Sequence, residues 1–328
     1  MQNQTLDHIL GIDYPIIMAP MFLISNTKMI MAALDNGITG AFPALNYRTD
    51  KELRAAIQEI KSHSDKPFGV NLIVNKSNPK YKNQLATLLE LEVAFIITSL
   101  GNPKEVIEKA KQKNIKVFCD VVDLKYAQKV ESLGADGVIA VNSEAGGHAG
   151  KITPKDLIIL LKENCNIPII SAGGIARGAD LKRAMDWGAA GASIGTLFIA
   201  CNEADISQEY KQAVVDYGAK DIVLTTKMSG SALTVINTPY VQSIGTKANF
   251  WEWLLNNNKS LKKYVKMLIA FRGMKQVEKA AKEATYKTVW CAGPAIEHVN
   301  SIKPIAEIIQ QLTKEYSEAE LLKNELAK

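Results

Sequence analysis

The chain has little that would tie it to a metal, a membrane or a nucleic acid. Its four cysteines, Cys119, Cys165, Cys201 and Cys291, stand apart, without the paired spacing of zinc or redox sites. The four histidines, His8, His63, His148 and His298, are equally scattered, and none has a metal-ligand neighbour at helical spacing, so no metal is expected. No apolar run approaches the ~20 residues a membrane helix needs. The net charge is only +5, and the lysines are spread without a dense block, which argues against a nucleic-acid partner. Met1–Thr5 carries neither the basic nor the apolar region of a secretory signal, and isolated thiols suit a reducing compartment. A cytoplasmic protein is expected.

What is present is globular: 47% hydrophobic and 22% charged residues over 328 positions, enough for one large barrel with an appended piece. From residue 15 to about 200, β-rich runs alternate with amphipathic stretches. The runs are Pro15–Pro20, Ile38–Ala44, Pro67–Val74, Ala94–Gly101, Lys116–Val122, Gly137–Ser143, Pro168–Gly173 and Gly191–Thr196. Between them the spacing predicts helices over Asp50–His63, with Leu53, Ala56, Ile57 and Ile60 on one face, over Asn102–Lys113 behind an Asn102 cap, and over Leu124–Leu133, stopped by Gly134. Eight strands, each followed by a helix, predict an α/β fold of the (βα)8 TIM-barrel type rather than an open sheet. The barrel is expected over 1–200. A smaller, mostly helical substrate or lid domain is expected over 201–288, with Trp251, Trp253, Tyr264 and Phe271 in its core, and 289–328 is expected to hold a return helix, Ser301–Leu312, and a charged, helical surface tail, Lys314–Lys328.

In such barrels the loops after the strands build the active site, and the last two strands often hold a phosphate. Here those strands run into Ser171-Ala172-Gly173-Gly174 and Gly195-Thr196, turns whose backbone N–H groups can face phosphate oxygens. The sixth strand leads into Glu144-Ala145-Gly146-Gly147-His148-Ala149-Gly150, which sets an imidazole with a near-neutral pKa in a loop that a flat ligand can approach closely. No strand-end lysine suits a Schiff base on strand six, and no paired carboxylates suit glycoside chemistry. The remaining strand ends, Met18-Ala19-Pro20-Met21-Phe22, Asn71 and Thr98-Ser99, are mostly apolar with polar edges, which fits a planar cofactor such as a flavin better than a small sugar phosphate. The first strand is not followed by Gly-x-Gly-x-x-Gly, so a mononucleotide is expected over a dinucleotide. Asp120 also ends a strand, but a carboxylate there commonly caps the next helix or binds an arginine, so it stays outside the catalytic set.

Ala19-Pro20-Met21, Pro67–Leu72, the Glu144–Gly150 loop, Ile169–Ile175, Gly195-Thr196 and Trp290-Cys291-Ala292-Gly293 together resemble the nitronate monooxygenase family, which is related to flavin-dependent enoyl-acyl-carrier-protein reductases and NADH:quinone reductases. The resemblance implies FMN over the barrel mouth, contacted by Ala19, Pro20, Met21, Asn71, Ala145, Gly146, Gly147, Ser171, Gly173, Gly174, Gly195 and Thr196. His148 would handle a substrate proton. An alkyl nitronate would be oxidised with O2 to a carbonyl compound and nitrite. The alternatives are an NAD(P)H-dependent reductase of quinones or enoyl thioesters and a flavin-binding protein without turnover; a homodimer is compatible with all three. The chain departs from the family at Met18 and Val141, where glutamines are usual, and at Phe42–Asn46, which replaces a glycine-rich turn.

Overall fold

The computed structural model describes residues 4–75, 78–226, 232–246 and 289–326. Strands β1 (Ile16–Met18), β2 (Thr39–Pro43), β3 (Gly69–Ile73), β4 (Phe95–Ser99), β5 (Lys116–Val121) and β6 (Gly137–Val141) are followed by a two-residue strand, β7 (Gly147–His148). Then come β8 (Ile169–Ala172), β9 (Gly191–Ile194), β10 (Ile222–Thr225) and β11 (Leu233–Ile236). The helices are α1 (Leu6–Leu10), α2 (Thr27–Asp35), α3 (Asp50–His63), α4 (Tyr81–Glu90), α5 (Lys104–Lys111), α6 (Leu124–Ser132), α7 (Pro154–Asn164) and α8 (Gly178–Trp187). These are followed by α9 (Gln208–Asp216), α10 (Pro239–Ile244) and α11 (Ile305–Leu326). The eight strands β1 to β6, β8 and β9 close into a parallel barrel, so the (βα)8 expectation holds strand for strand.

Alternation along each strand sorts its side chains into two layers. Ile17, Ala41, Phe95, Ile97, Phe118, Ile139 and Ile170 point inward and fill the barrel, with Leu6 of α1 sealing the bottom. Phe95 and Phe118 meet edge to face, 5.6 Å between ring centres. The outward residues pack under the helices, whose ends follow the sequence: Thr49 and Glu52 form a reciprocal cap on α3, and Gly134 takes φ +88° after α6. α5 starts later than expected. Pro103 is its cap residue, while Asn102 Oδ1 still accepts from Lys104 N at 3.2 Å.

The segment after β9 departs further from the sequence reading. Its described part contains α9 and α10 but also β10 and β11, which pair antiparallel with each other, and β11 pairs in turn with β7. Ile222-Val223-Leu224-Thr225 and Leu233-Thr234-Val235-Ile236 are short β-branched runs, and the helical pattern around them masked that signal. Trp251, Trp253, Tyr264 and Phe271 lie outside the described residues. The return helix and tail form one continuous helix, α11. It begins after Pro304 because Ala200 and Asn202 hold the backbone of Lys303 extended. It runs on because Ile305, Ile308, Ile309, Leu312 and Tyr316 keep one buried face across Thr313, where the return helix meets the helical tail. α11 lies between α8 and α2 and supplies the eighth outer helix; Glu315 Oε2 accepts from Gly178 N at 2.9 Å.

Candidate active site

The C-terminal ends of the barrel strands form the mouth, floored by the inward apolar layer. On one wall, Ala19 N donates to Ile194 O at 2.8 Å, tying the end of β1 to the end of β9. Met21 N donates to Ser25 Oγ (2.9 Å), and Ser25 Oγ donates to Ala19 O (3.2 Å). Asn46 completes this wall. Its Oδ1 accepts from Leu23 N at 2.8 Å and its amide donates to Ser25 O at 2.8 Å. The Phe42–Asn46 departure from the family pattern thus staples the loop after β1, a role the sequence reading missed. Met18 packs in the outer core and is fully buried, so that position cannot touch a ligand over the mouth. Val141 faces inward beside the barrel filling.

The Gly195 and Gly173-Gly174 turns lie along the last two strands. A side chain built on Gly195 would meet Ala19 Cβ at 3.5 Å and Met21 Sδ at 3.6 Å, which places Ala19, Met21 and Gly195 together. Gly173 and Gly174 take φ +114° and +76°. They are backed by the loop that follows β6: Asn142, 1% exposed, donates to Gly173 O (3.1 Å) and accepts from Glu144 N (2.8 Å). Sequence reasoning passed over Asn142; a polar residue closing an apolar strand was the available signal. Ser171 faces the outer layer, level with Ala140 and Ala192. Its buried hydroxyl has no partner among the described residues, and Ser171 borders a cavity of about 290 Å³ between α7 and α8, together with Glu144, Lys155, Gly174 and Arg183.

The histidine loop is a piece of sheet rather than a free turn. Gly147 and His148 pair with Thr234 and Leu233, and Thr234 Oγ1 donates to Ala145 O at 2.6 Å and to Gly147 O at 3.2 Å. Gly146 lies against the returning segment: Gly293 N donates to Thr196 Oγ1 at 3.0 Å, and a side chain on Gly146 would come within 2.9 Å of that same nitrogen. Trp290 stacks on Tyr210 at 5.4 Å, and Tyr210 OH donates to Cys291 O at 2.7 Å, which fixes the segment in place. The His148 ring is open to solvent on one side, yet the protein around it lowers its pKa below the usual histidine value. It is therefore neutral near pH 7 and able to accept a proton.

The opposite wall carries Asn71, whose amide donates to Ser99 Oγ (2.6 Å) and Ile97 O (3.2 Å). Ser99 Oγ donates to Asp120 Oδ2 at 2.5 Å. The structure thus gathers Ala19, Met21, Gly195 and Thr196 on one side, Ala145 to His148 beside the Gly173-Gly174 turn, and Asn71 across the mouth. Pro20 is half-buried in the β1 loop, and Ser171 alone turns its side chain away. Among the described residues no cluster of His, Cys, Asp or Glu could hold a metal, and no helix is long and apolar enough to cross a membrane.

The chain is similar to known proteins over most of its length. The chain is 28% identical to a nitronate monooxygenase of Paraburkholderia phytofirmans, over 95% of this chain and 94% of that protein. It is 30% identical to a Rhodococcus jostii protein named (3aS,4S,5R,7aS)-5-hydroxy-7a-methyl-1-oxo-octahydro-1H-indene-4-carboxyl-CoA dehydrogenase, over 74% of this chain and 68% of that one. The structure of FabK from Thermotoga maritima superposes with a TM-score of 0.83 at 28% identity, covering 98% of this chain and 99% of the other. Nitroalkane oxidase from Streptomyces ansochromogenes, 22% identical over 95% of this chain and 98% of its own, shares the fold with a TM-score of 0.80. The nitronate monooxygenase family model matches residues 3–315, and the chain, an oxidoreductase, belongs to that family.

Proposed function

We propose that the protein is an FMN-dependent nitronate monooxygenase that oxidises alkyl nitronates with O2 to carbonyl compounds and nitrite. The observation that carries the reading is the placement of a neutral His148, fixed by the β7–β11 ladder, beside a pair of glycine turns at the barrel mouth. The donor set fits the group. Ala19 and Met21 offer an apolar wall, Asn71 a polar edge, and Gly173, Gly174, Gly195 and Thr196 a phosphate cradle. When bound, FMN supplies the electron transfer between substrate and O2. The chain's own residues bind and orient: the glycine turns leave room for the phosphate, and His148 takes the proton of a neutral nitroalkane.

Denaturing the holoprotein is expected to release FMN rather than FAD, read by chromatography. Anaerobic titration with an alkyl nitronate is then expected to bleach the flavin; bleaching by NADH or NADPH alone would overturn the monooxygenase reading. That second outcome is a reductase, and the superposition on FabK over nearly the whole chain favours it as the alternative.

The lowered pKa of His148 gives a pH dependence of definite sign. The base works when neutral, so kcat/KM for a neutral nitroalkane is expected to be level above about pH 6.5, the ordinary histidine value, and to fall as pH drops through the lower value. The limb should vanish in His148→Asn. A limb in the wild type that survives this substitution assigns the proton to another group.

A further inference from the structure

The carboxyl of Asp120 has none of the tasks usual for a strand-end aspartate. α6 is capped by Asp123, whose Oδ1 accepts from Tyr126 N at 2.7 Å, and no arginine or lysine bonds Asp120 among the described residues. Asp120 instead follows Phe118 on the inward side of β5, one step above the apolar filling of the barrel, as Ser99 follows Ile97 on β4. It is the terminal acceptor of a chain with fixed polarity. The Asn71 amide can only donate, so Ser99 receives there and must give its own proton to Asp120.

The groups around this carboxyl carry no compensating charge. β6 presents Ile139 and Val141, β4 presents Ser99, and β3 presents Asn71. The neighbouring Cys119 thiol is pushed up to about 12, and the pKa of Tyr126 is raised while its hydroxyl bonds Gly101 O. His148, on the loop after β6, has its pKa lowered by burial, and the hydrogen bond shown to the Asp120 carboxylate comes from Ser99. Burial pushes Asp120 itself up to about 6, opposed only by the Ser99 hydroxyl. The carboxyl keeps partial contact with solvent at the mouth, which favours the charged form together with Ser99, and a flat ligand laid across the mouth removes that contact.

We propose that Asp120 takes up one proton from solvent when a planar ligand closes the barrel mouth, and then stands beneath that ligand as a neutral acid held by Ser99, which Asn71 holds in turn. This rests on the flavin reading above. No bond other than the O–H forms, and the proton comes from bulk water. Affinity for the ligand is therefore linked to pH, by up to about tenfold per pH unit above the pKa of the open site.

The test is FMN binding to the apoprotein, followed by quenching of FMN fluorescence from pH 6 to pH 8, in the wild type and in Asp120→Asn. The phosphate of FMN titrates identically in both, so the ratio of the two Kd values isolates Asp120. The asparagine mimics the protonated acid. The ratio of wild-type to variant Kd is expected near one at pH 6 and roughly tenfold or more higher at pH 8. Ser99→Ala removes the hydrogen bond that favours the carboxylate, so its own pH break should move upward from the wild type's; this comparison also serves if the Asp120 variant does not fold. A flat ratio with FMN bound, or an unmoved break in Ser99→Ala, overturns the proposal and leaves the flavin reading intact. Failure of the wild type to bind FMN at either pH overturns both.

Discussion

Replacing His148 with alanine is expected to lower turnover of a neutral nitroalkane by about 10²-fold or more, the usual worth of a positioned acid or base. Bound flavin should be retained. The backbone of that residue is held through Leu233 and Thr234, and neither pairing needs the imidazole. The cofactor contacts proposed for Ala19, Asn71, Gly174 and Gly195 come from other strands. A pre-formed nitronate has already lost the proton in question, so it should suffer much less than its parent nitroalkane. Steady-state rates for the two substrates on one flavin-replete variant separate the outcomes. Parallel losses accompanied by flavin release would make His148 a packing residue, and unchanged rates on both would remove it from the mechanism.

Gly195→Val is expected to weaken FMN binding by about 10- to 100-fold, the scale of one charge-assisted hydrogen bond, while leaving the melting temperature nearly unchanged. The backbone there has φ −112°, open to any residue, and the first added carbon meets Ala19 and Met21 at 3.5 to 3.7 Å, ordinary contact distances. The protein alone therefore accommodates that first carbon; the proposed phosphate is what the side chain would displace. Gly174 offers the contrast. Its φ of +76° already disfavours a side chain, and an added carbon collides with the Glu144 carboxylate. Gly174→Val should lose stability and cofactor together. Thermal melts of the apoproteins beside FMN titrations give the comparison. Full FMN affinity in Gly195→Val would place the phosphate elsewhere.

Much of this architecture was legible because barrel strands buried on both faces leave a dense local signature. Ile169-Ile170 bounded by Pro168 and Gly173, or Ile96-Ile97 after Val93, needs no distant partner to be recognised. The glycine turns were equally visible, since their conformations are written in single residues. What escaped was set by contacts between remote segments. Thr234 holds the histidine loop from 87 residues away along the chain, and Asn46 braces a loop it does not adjoin in sequence. Ser171 opens a glycine-rich string, which suggests a cofactor contact, yet strand alternation turns it outward. For Asp120 the sequence suggests a helix cap, a task that Asp123, three residues on, performs in the fold.

The helix that completes the outer ring, α11, joins β9 only after the long excursion through α9, β10, β11 and α10. During synthesis the apolar flanks of α8 and α2 therefore wait, uncovered, through the whole translation of that excursion. The barrel's ring closure is among the most non-local contacts in the chain, of the kind that slows folding and prolongs exposure to chaperones. The excursion that carries the strand bracing His148 thus also delays closure: the histidine loop gains its support from the same insertion that makes the nascent barrel late to seal.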